Sequence, residues 1–255
     1  MAKTMKTAVV VRQEQIGTDI YSLTVNCPDI ADAAVPGQFV SLFTGDNSRL
    51  LPRPISICDA GSGEIRFVYR TAGEGTKIIS KLKSGDEIRL LGPLGNGYTL
   101  EEKDAILIGG GIGIPPMLYL AKQLKSKGVK CAIVLGYRDE EFLKGDFEGL
   151  GDVYVSSDTG FMGVKGTVID AINEYGVSGQ QIYTCGPKPM LKAVKAFAEE
   201  KGIKAQLSLE ERMACGIGAC LACVCETTAV DDHSKVNNAR VCADGPVFDS
   251  KEVRL

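Results

Sequence analysis

The sequence has 255 residues, of which 44% are hydrophobic and 24% are charged, so it is long enough for about two globular domains and is not a disordered chain. Its formal net charge of −3 excludes a general electrostatic attraction for nucleic acid or anionic lipid. The N-terminal apolar run is short and is broken by Arg12 and Glu14, which is typical of neither a signal peptide nor a membrane span. We therefore expect a cytoplasmic protein whose nine cysteines are reduced.

Residues 1–100 are predicted to form an antiparallel β-barrel. Short runs of β-branched and aromatic residues recur there with Gly, Pro, Asp and Asn between them, a pattern typical of barrel strands. The first helix of convincing period is expected only at Thr76–Lys83. The predicted strands are Thr7–Val11, Ile20–Val25, Gln38–Phe43, Glu64–Tyr69 and Glu87–Leu91.

Two stretches of the predicted barrel carry residues suited to a nucleotide. Arg53 can form paired hydrogen bonds to a pyrophosphate, Pro54 fixes the backbone, and Ser56 offers a hydroxyl to a ring nitrogen. Gly75 and Thr76 open a short helix whose first N–H groups would face an anion. Each stretch alone also occurs in ordinary turns and caps, so it is their order along a barrel that favours a binding site.

Residues 101–205 are predicted to form an α/β domain. Apolar strands alternate with amphipathic helices, which indicates a parallel sheet with helices on both faces. The glycine turn after the first strand lacks the third glycine of G-x-G-x-x-G, since Ile114 or Pro116 stands in its place. The predicted elements are the strand Ala105–Ile108, the turn Gly109–Gly113, a helix from about Pro115 to Lys127, the strand Cys131–Gly136, a strand within GDVYVSSDTG, the helix Gly166–Tyr175, and a strand and helix within IYTCGPKPMLKAVKAFAEEKG.

The residues after the second strand leave the choice of nicotinamide cofactor open. Arg138 would suit the 2′-phosphate of NADPH, whereas Asp139, Glu140 and Glu141 would repel that phosphate or bond a free ribose hydroxyl. These residues are therefore compatible with either NADH or NADPH.

Residues 206–255 contain five of the nine cysteines. Cys215, Cys220 and Cys223 form C-x4-C-x2-C, and Cys242 follows after a longer gap, which is the plant-type ligand pattern of a [2Fe-2S] cluster. Small residues between the ligands would let backbone N–H groups approach the sulfurs. Cys225 lies too close to Cys223 to replace it and is expected to be a packed thiol.

Three alternatives to a [2Fe-2S] cluster suit these cysteines less well. A structural zinc site usually pairs two short C-x2-4-C hooks, a disulfide framework needs a secretory context, and inert buried thiols would not lie so close together. A Rieske cluster needs two histidine ligands, and His233 is the only histidine. We expect His233 to be a solvated loop residue, with a role at the cluster or at an interface as the alternative.

Four motifs of the predicted barrel, PGQF at 36–39, RPIS at 53–56, GEGT at 73–76 and LGPLGNG at 91–97, resemble in their order the flavin domain of the ferredoxin reductase superfamily. The turn GGG-x-G-x-x-P and the motif TCGPKPM resemble the nicotinamide end of the same superfamily. There the cysteine lies beside the flavin, so Cys185 is expected to shape the site without acting as a nucleophile, a core thiol being the alternative. The resemblance implies FAD contacts at Arg53, Pro54, Ile55, Ser56, Arg70, Thr71, Ala72, Gly75 and Thr76, and NAD contacts at Gly110, Gly111, Gly113, Cys185, Gly186 and Pro187.

The cysteine segments EERMACGIGACLACVC and ARVCADGPVF, together with RPISICD, resemble the electron-transfer subunits of the NAD-dependent, two-subunit dihydroorotate dehydrogenases. This resemblance implies FAD, a [2Fe-2S] cluster held by Cys215, Cys220, Cys223 and Cys242, and NAD. It also implies an FMN-bearing catalytic partner that oxidises dihydroorotate in pyrimidine biosynthesis, in a heterotetramer with two copies of each subunit. The polar loop ETTAVDDHSKVNNAR before Cys242 is a departure that could shift the docking surface.

The chain has no second flavin domain of the (β/α)8 size, about 250 residues, so dihydroorotate oxidation is expected on the partner. Two alternative functions are compatible with the same residues: a flavin and iron–sulfur subunit of a ferredoxin:NAD(P), sulfide or hydrogenase-type oxidoreductase, and a zinc-binding or redox interaction module without turnover. The domain limits are expected at 1–100, 101–205 and 206–255.

Overall fold

The computed structural model describes residues 4–230 and 235–255. His233, predicted to be a solvated loop residue or to act at the cluster, lies outside the described residues. Within these two ranges, every helix is too short or too polar to cross a lipid bilayer.

The first part of the chain is a closed antiparallel barrel with strand order β1-β2-β5-β4-β3-β6. Alternate strand residues such as Val40, Leu42, Phe67 and Leu90 point inward and form one buried cluster. The barrel is therefore a filled core, and ligands must bind at its outside. Its elements are β1 (Thr4–Gly17), β2 (Ile20–Asn26), α1 (Pro28–Ala31), β3 (Phe39–Phe43), β4 (Arg53–Gly61), β5 (Glu64–Arg70), α2 (Glu74–Ile79) and β6 (Glu87–Leu94).

The predicted barrel is confirmed, but two of its elements were not foreseen. Strand β4 contains the RPIS motif, and Pro54 has no N–H group to donate to a neighbouring strand, which hid the strand in the sequence. Helix α1 has a single turn, too short to show a period. Helix α2 begins two residues before the predicted Thr76, because Thr76 Oγ1 accepts hydrogen bonds from the N–H groups of Ala72 and Gly73 and fixes the helix start.

The second part of the chain contains a seven-stranded sheet of order β10-β9-β8-β7-β11-β12-β15. Residues such as Leu107 and Leu135 pack with α3 on one face, and Ile106 and Val134 pack with the residues of α4 and α5 on the other. The predicted parallel sheet with helices on both faces is thus confirmed. Its elements are β7 (Ala105–Gly110), α3 (Ile114–Ser126), β8 (Cys131–Tyr137), β9 (Asp152–Ser157), β10 (Val164–Lys165), α4 (Val168–Glu174), β11 (Gln181–Cys185), α5 (Lys188–Lys201) and β12 (Lys204–Ser208).

The cysteine-rich part is tied into this sheet. Strands β13 (Val224–Glu226) and β14 (Asn238–Arg240) pair with each other, while β15 (Val247–Asp249) lies antiparallel to β12. Strand β15 was not predicted, and β12 runs across the boundary expected between residues 205 and 206. The third unit therefore shares backbone hydrogen bonds with the second.

Glycines of the barrel motifs make room for this third unit. A Cβ atom at Gly37 would lie 2.8 Å from Val247, and one at Gly95 would lie 2.5 Å from Pro246. Asn96 bonds the same segment, since its N–H group donates to the carbonyl of Gly245 at 2.6 Å. The PGQF and LGPLGNG motifs thus form the junction between the barrel and the cysteine-rich unit.

The barrel and the sheet also hold each other directly. Arg66 pairs with Asp146 at 2.5 Å, and Lys122 of α3 pairs with Asp59 of β4. The second contact places β4 beside the helix that follows the glycine turn.

Candidate functional site

A cavity of about 780 Å³ lies where the barrel meets the sheet, within the range of about 300–1,000 Å³ that is typical of ligand sites. Because Cys185 ends β11, the cavity opens at the carboxyl ends of the parallel strands, where α/β sheets bind nucleotides. The structure brings eleven of the fifteen predicted cofactor residues to its wall: Arg53, Pro54, Ile55, Ser56, Arg70, Ala72, Thr76, Gly113, Cys185, Gly186 and Pro187.

One edge of the RPIS segment is free to bond a ligand. Strand β4 pairs with β3 from Arg53 to Ser56, but it pairs with β5 only from Ile57 onward. The backbone groups on the other side of Arg53–Ser56 therefore have no partner among the described strands, and these residues line the cavity. This is also why Pro54 is tolerated in a barrel strand, since proline is restricted to strand edges.

The guanidinium group of Arg53 lies directly over the start of α2. A Cβ atom at Gly75 would lie 2.1 Å from Arg53 Nε, so only glycine fits beneath this side chain. Arg53 Nη1 donates to the carbonyl of Leu51 at 2.6 Å, which fixes the side chain in this position. The second glycine of GEGT thus makes space for the arginine, a role that was not foreseen. An anion in the cavity would meet both the Arg53 guanidinium and the start of α2.

The glycine turn and the TCGPKPM motif are in contact. A Cβ atom at Gly113 would lie 2.3 Å from the carbonyl oxygen of Cys185, and one at Gly110 would lie 2.3 Å from Met190 Sδ. Gly111 has a φ of +53° and open space around it. The two stretches that sequence reasoning assigned to the nicotinamide cofactor therefore form one surface.

Cys185 at the end of β11 is a neutral thiol. Burial raises its pKa to about 12, although a hydrogen bond with Ser208 opposes the rise. A thiol with this pKa carries almost no thiolate near neutral pH, so the geometry agrees with a shaping role for this residue.

Four predicted cofactor residues do not reach the cavity wall. Thr71 turns away and bonds Asp19, with Oγ1 donating to Oδ1 at 3.1 Å. Gly75 lies beneath Arg53, and Gly110 and Gly111 lie in the turn behind Gly113. Among the acids after β8, Glu140 accepts the N–H group of Thr18 at 2.9 Å and is held by this contact with the barrel.

The four predicted cluster ligands form two pairs. The sulfurs of Cys215 and Cys220 are 3.3 Å apart, and Cys223 Sγ accepts the backbone N–H group of Cys242 at 3.5 Å. All nine cysteines are free, so the disulfide framework is not formed. Within the two described ranges, the structure shows no group of three or more side chains that could hold a single metal ion. Two pairs of thiols instead match a [2Fe-2S] cluster, in which each of the two irons binds two thiolates.

Backbone N–H groups in the ligand loop, residues 215–223, are directed at these sulfurs. Cys215 Sγ accepts from Ile217 at 3.5 Å and from Cys220 at 3.4 Å. Burial raises the pKa of Cys215, but these hydrogen bonds outweigh it and lower the pKa to about 6. The pKa of Cys242 is raised to about 12, mainly by burial and, to a smaller extent, by its hydrogen bond with Cys223. The loop therefore already stabilises negative charge on one sulfur, as a thiolate-bound cluster requires.

Arg240 holds the ligand loop in place. Its Nη1 donates to the carbonyl of Gly218 at 2.9 Å, and its Nη2 pairs with Asp244 at 3.0 Å. Gly218 has a φ of +86°, a left-handed conformation that glycine adopts without strain. Sequence reasoning missed Arg240, because an arginine two residues before a cysteine is not part of the ligand spacing.

The cavity and the ligand loop are separated by few side chains. Phe39 lines the cavity, and its ring lies 4.0 Å from the position that a Cβ atom would take at Gly216. Cys225 is 8% exposed and also reaches the cavity wall, so this predicted packed thiol lies between the two sites. Phe39, Glu211 and Met213 lie within motifs quoted for the family resemblance, but the sequence assigned no site role to them or to Cys225, although all four line the cavity.

A cavity shared by a barrel and a nucleotide-type sheet, backed by two cysteine pairs, defines a class: a ferredoxin reductase-like oxidoreductase with an iron–sulfur unit. Residues 107–196 match the family model of the oxidoreductase NAD-binding domain. Residues 210–254 match that of the iron–sulfur cluster binding domain of dihydroorotate dehydrogenase B.

Relatives cover nearly the whole chain. The electron transfer subunit of dihydroorotate dehydrogenase B (NAD(+)) from Fusobacterium nucleatum is 42% identical over 94% of this chain and 95% of its own length. The corresponding subunit from Bacillus mycoides is 43% identical over 97% of both chains. The chain belongs to the family of electron transfer subunits of NAD(+)-dependent dihydroorotate dehydrogenase B.

Solved structures share the architecture. An NADH-dependent reduced ferredoxin-NADP oxidoreductase, described for flavin-based electron bifurcation, superposes with a TM-score of 0.86 at 29% identity, over 97% of this chain and 89% of its own. The ferredoxin reductase of carbazole 1,9a-dioxygenase has a TM-score of 0.65 at 19% identity, over 80% of this chain and 67% of its own, a likeness of fold alone.

Proposed function

We propose that the chain is the electron-transfer subunit of a dihydroorotate dehydrogenase complex. Electrons released when an FMN-bearing partner oxidises dihydroorotate would pass through a [2Fe-2S] cluster and FAD to NAD⁺, in pyrimidine biosynthesis. The single observation that carries this function is the identity of 42–43% to electron transfer subunits of dihydroorotate dehydrogenase B over nearly the whole chain. The cavity whose wall joins RPIS to TCGP beside the cysteine loop supports it. The cytoplasm and a heterotetramer with two copies of each subunit are parts of the same proposal.

We assign FAD to the barrel side of the cavity. Arg53 over Gly75 suits a phosphate, while the unpaired edge of Arg53–Ser56 offers backbone groups to a flavin ring. Ile55, Arg70, Ala72 and Thr76 complete the wall. Thr71 bonds Asp19 through both its hydroxyl and its N–H group, which donates to the Asp19 carbonyl at 2.8 Å, so it would contribute only its carbonyl.

We assign NAD to the sheet side of the cavity. Gly113, Gly186 and Pro187 line this side together with Ile112, and Gly110 and Gly111 form the turn that leads to Gly113. Arg138 is exposed, and Glu140 is held by Thr18. NAD is preferred over NADP on the family assignment.

The third assignment is the cluster, on Cys215, Cys220, Cys223 and Cys242. When bound, FAD exchanges a hydride with the nicotinamide and single electrons with a [2Fe-2S] cluster. The chain's own residues would position these groups: Phe39 lines the cavity, and its ring lies 4.0 Å from the position of a Cβ atom at Gly216 in the ligand loop. The proposed units are 1–100 for FAD, 101–205 for NAD and 206–255 for the cluster.

Apolar side chains beside the ligands support docking of the catalytic partner at the cluster. Leu221 is 71% exposed and Ile217 is 42% exposed, and both lie between or next to ligand cysteines. Such exposed apolar groups are typical of interaction sites when they lie together. A partner bound here would bring its own redox group close to the cluster.

Purification of the chain alone, under nitrogen, and with its partner tests this function. We expect one FAD and two irons per chain, NADH-dependent reduction of artificial acceptors by the lone chain, and dihydroorotate-dependent NAD⁺ reduction only by the complex. Oxidation of dihydroorotate by the lone chain, or a zinc-loaded preparation without flavin, would contradict the proposal.

A second candidate is a subunit that exchanges electrons with ferredoxin. The TM-score of 0.86 to the NADH-dependent reduced ferredoxin-NADP oxidoreductase, at 29% identity, favours it. The protein that co-purifies with the native chain decides between the two functions, because both need the same cavity and cysteines.

A further inference from the structure

A buried hydroxyl on the barrel faces the ligand loop. Ser41 lies on β3 and is 0% exposed, and its Oγ atom has no hydrogen-bond partner among the described protein atoms. A buried hydroxyl without a partner is unfavourable, and such groups are rare in folded proteins. We therefore expect the Ser41 hydroxyl to bond an acceptor that is not part of the described polypeptide.

The position of Ser41 indicates where that acceptor lies. Its Oγ atom is 2.9 Å from the point that a Cβ atom would take at Gly216, and Gly216 directly follows the proposed ligand Cys215. Ser41 and Phe39 share one face of β3, and Phe39 lines the cavity. The hydroxyl thus lies on the side of the barrel that faces both the cavity and the loop.

The side chains next to Ser41 contain no hydrogen-bond acceptor for its hydroxyl group. Its partners on the adjacent strands are Pro54 and Leu91, and Leu94 and Phe39 are the other side chains near Gly216. All four side chains are apolar. No side chain among these neighbours can accept the proton, and a backbone position close to the hydroxyl is that of Gly216, next to the proposed ligand Cys215.

We propose that the Ser41 hydroxyl donates a hydrogen bond to a sulfur on the Cys215 side of the [2Fe-2S] cluster and raises its reduction potential. Hydrogen bonds to cluster sulfurs stabilise the reduced form, because reduction adds negative charge. The inference rests on the proposed cluster function, and it makes Ser41 a residue that tunes the electron step between cluster and flavin.

The test is a redox titration of the holo-protein, followed by the electron paramagnetic resonance signal of the reduced cluster. In Ser41→Ala, the potential should become more negative, so that the ratio of reduced to oxidised cluster at a fixed ambient potential falls about threefold, as expected for one neutral hydrogen bond. The control is Ser157→Ala, which removes another 0% exposed hydroxyl from β9, far along the sheet from β15. Its cluster potential should equal that of the parent chain.

An unchanged potential in Ser41→Ala with a full cluster overturns the inference. Should that variant load poorly, Ser41→Thr and Ser41→Val are compared, because these side chains have the same shape and differ only in the hydroxyl. A more negative potential in the valine variant supports the inference, whereas equal potentials, or failure of both to hold a cluster, overturn it in favour of a packing role. Absence of acid-labile sulfide from the parent chain would instead contradict the proposed function itself.

Discussion

At the scale of single residues, the geometry of the site depends on two glycines that leave room for neighbouring groups. Gly75 lets Arg53 lie over the start of α2, and Gly113 lets the glycine turn meet the carbonyl of Cys185. A Cβ atom at either place would overlap other atoms. The positions of charged and reactive groups around the cavity are therefore set by neighbouring glycines.

Substitution Gly75→Ala should weaken FAD binding. The added methyl would displace the Arg53 guanidinium from the proposed phosphate position, and a lost hydrogen bond to a charged group costs about 1.5–3 kcal/mol, or roughly tenfold to a hundredfold in Kd. Fluorescence titration of the flavin-free protein with FAD measures this. Gly73→Ala is the control, because Gly73 is extended, with φ −166°, and has no atoms within 4 Å of a new Cβ. Equal affinities in the two variants would show that Arg53 does not contact the cofactor.

At the scale of elements, Arg240 on β14 connects the ligand loop to the segment that follows Cys242. Its contacts with Gly218 and Asp244 fix the backbone N–H groups that approach the sulfurs. Without them, the loop would have to be ordered by the cluster alone.

Substitution Arg240→Gln should therefore make the cluster more labile. We expect several-fold faster loss of visible absorbance when the oxidised holo-protein is exposed to an iron chelator, with the flavin still bound. Arg12→Gln provides the control, since Arg12 is an exposed barrel arginine paired with Glu14 at 3.6 Å. If both variants release iron at the parent rate, Arg240 has no part in holding the loop.

The elements also show what the sequence could and could not predict. Strands such as β2 and β5, and the helix after the glycine turn, have a local period and were predicted. Strand β4 was missed because a proline such as Pro54 argues against a strand unless that part of the strand is known to be an unpaired edge. Strand β15 was missed because its three residues are too few to show an alternation of apolar and polar side chains. Ligand spacing predicts the four cysteines, whereas Ser41 and Arg240 matter only through contacts that folding creates.

At the scale of the whole molecule, the three units form one scaffold. Strand β15 completes the sheet of the second unit, and Phe248 within it is 7% exposed and packs in the same cluster as Phe39 and Ile106. We therefore expect the holo-protein to unfold in a single cooperative transition, seen together by flavin fluorescence, cluster absorbance and circular dichroism.

Substitution Phe248→Ala should lower the midpoint of all three signals equally, because removing a buried phenylalanine costs about 3–5 kcal/mol. Phe161→Ala is the control, as Phe161 is 46% exposed and its removal should leave the midpoint nearly unchanged. A cluster signal lost well before the flavin signal would mean that the third unit is only loosely attached.

The place of β15 has a consequence for biosynthesis. The sheet has an open edge at β12 until residues 247–249 have been made and have paired with it. Exposed strand borders invite pairing with other chains. The segment that carries the proposed ligand cysteines therefore also carries the strand that closes this edge.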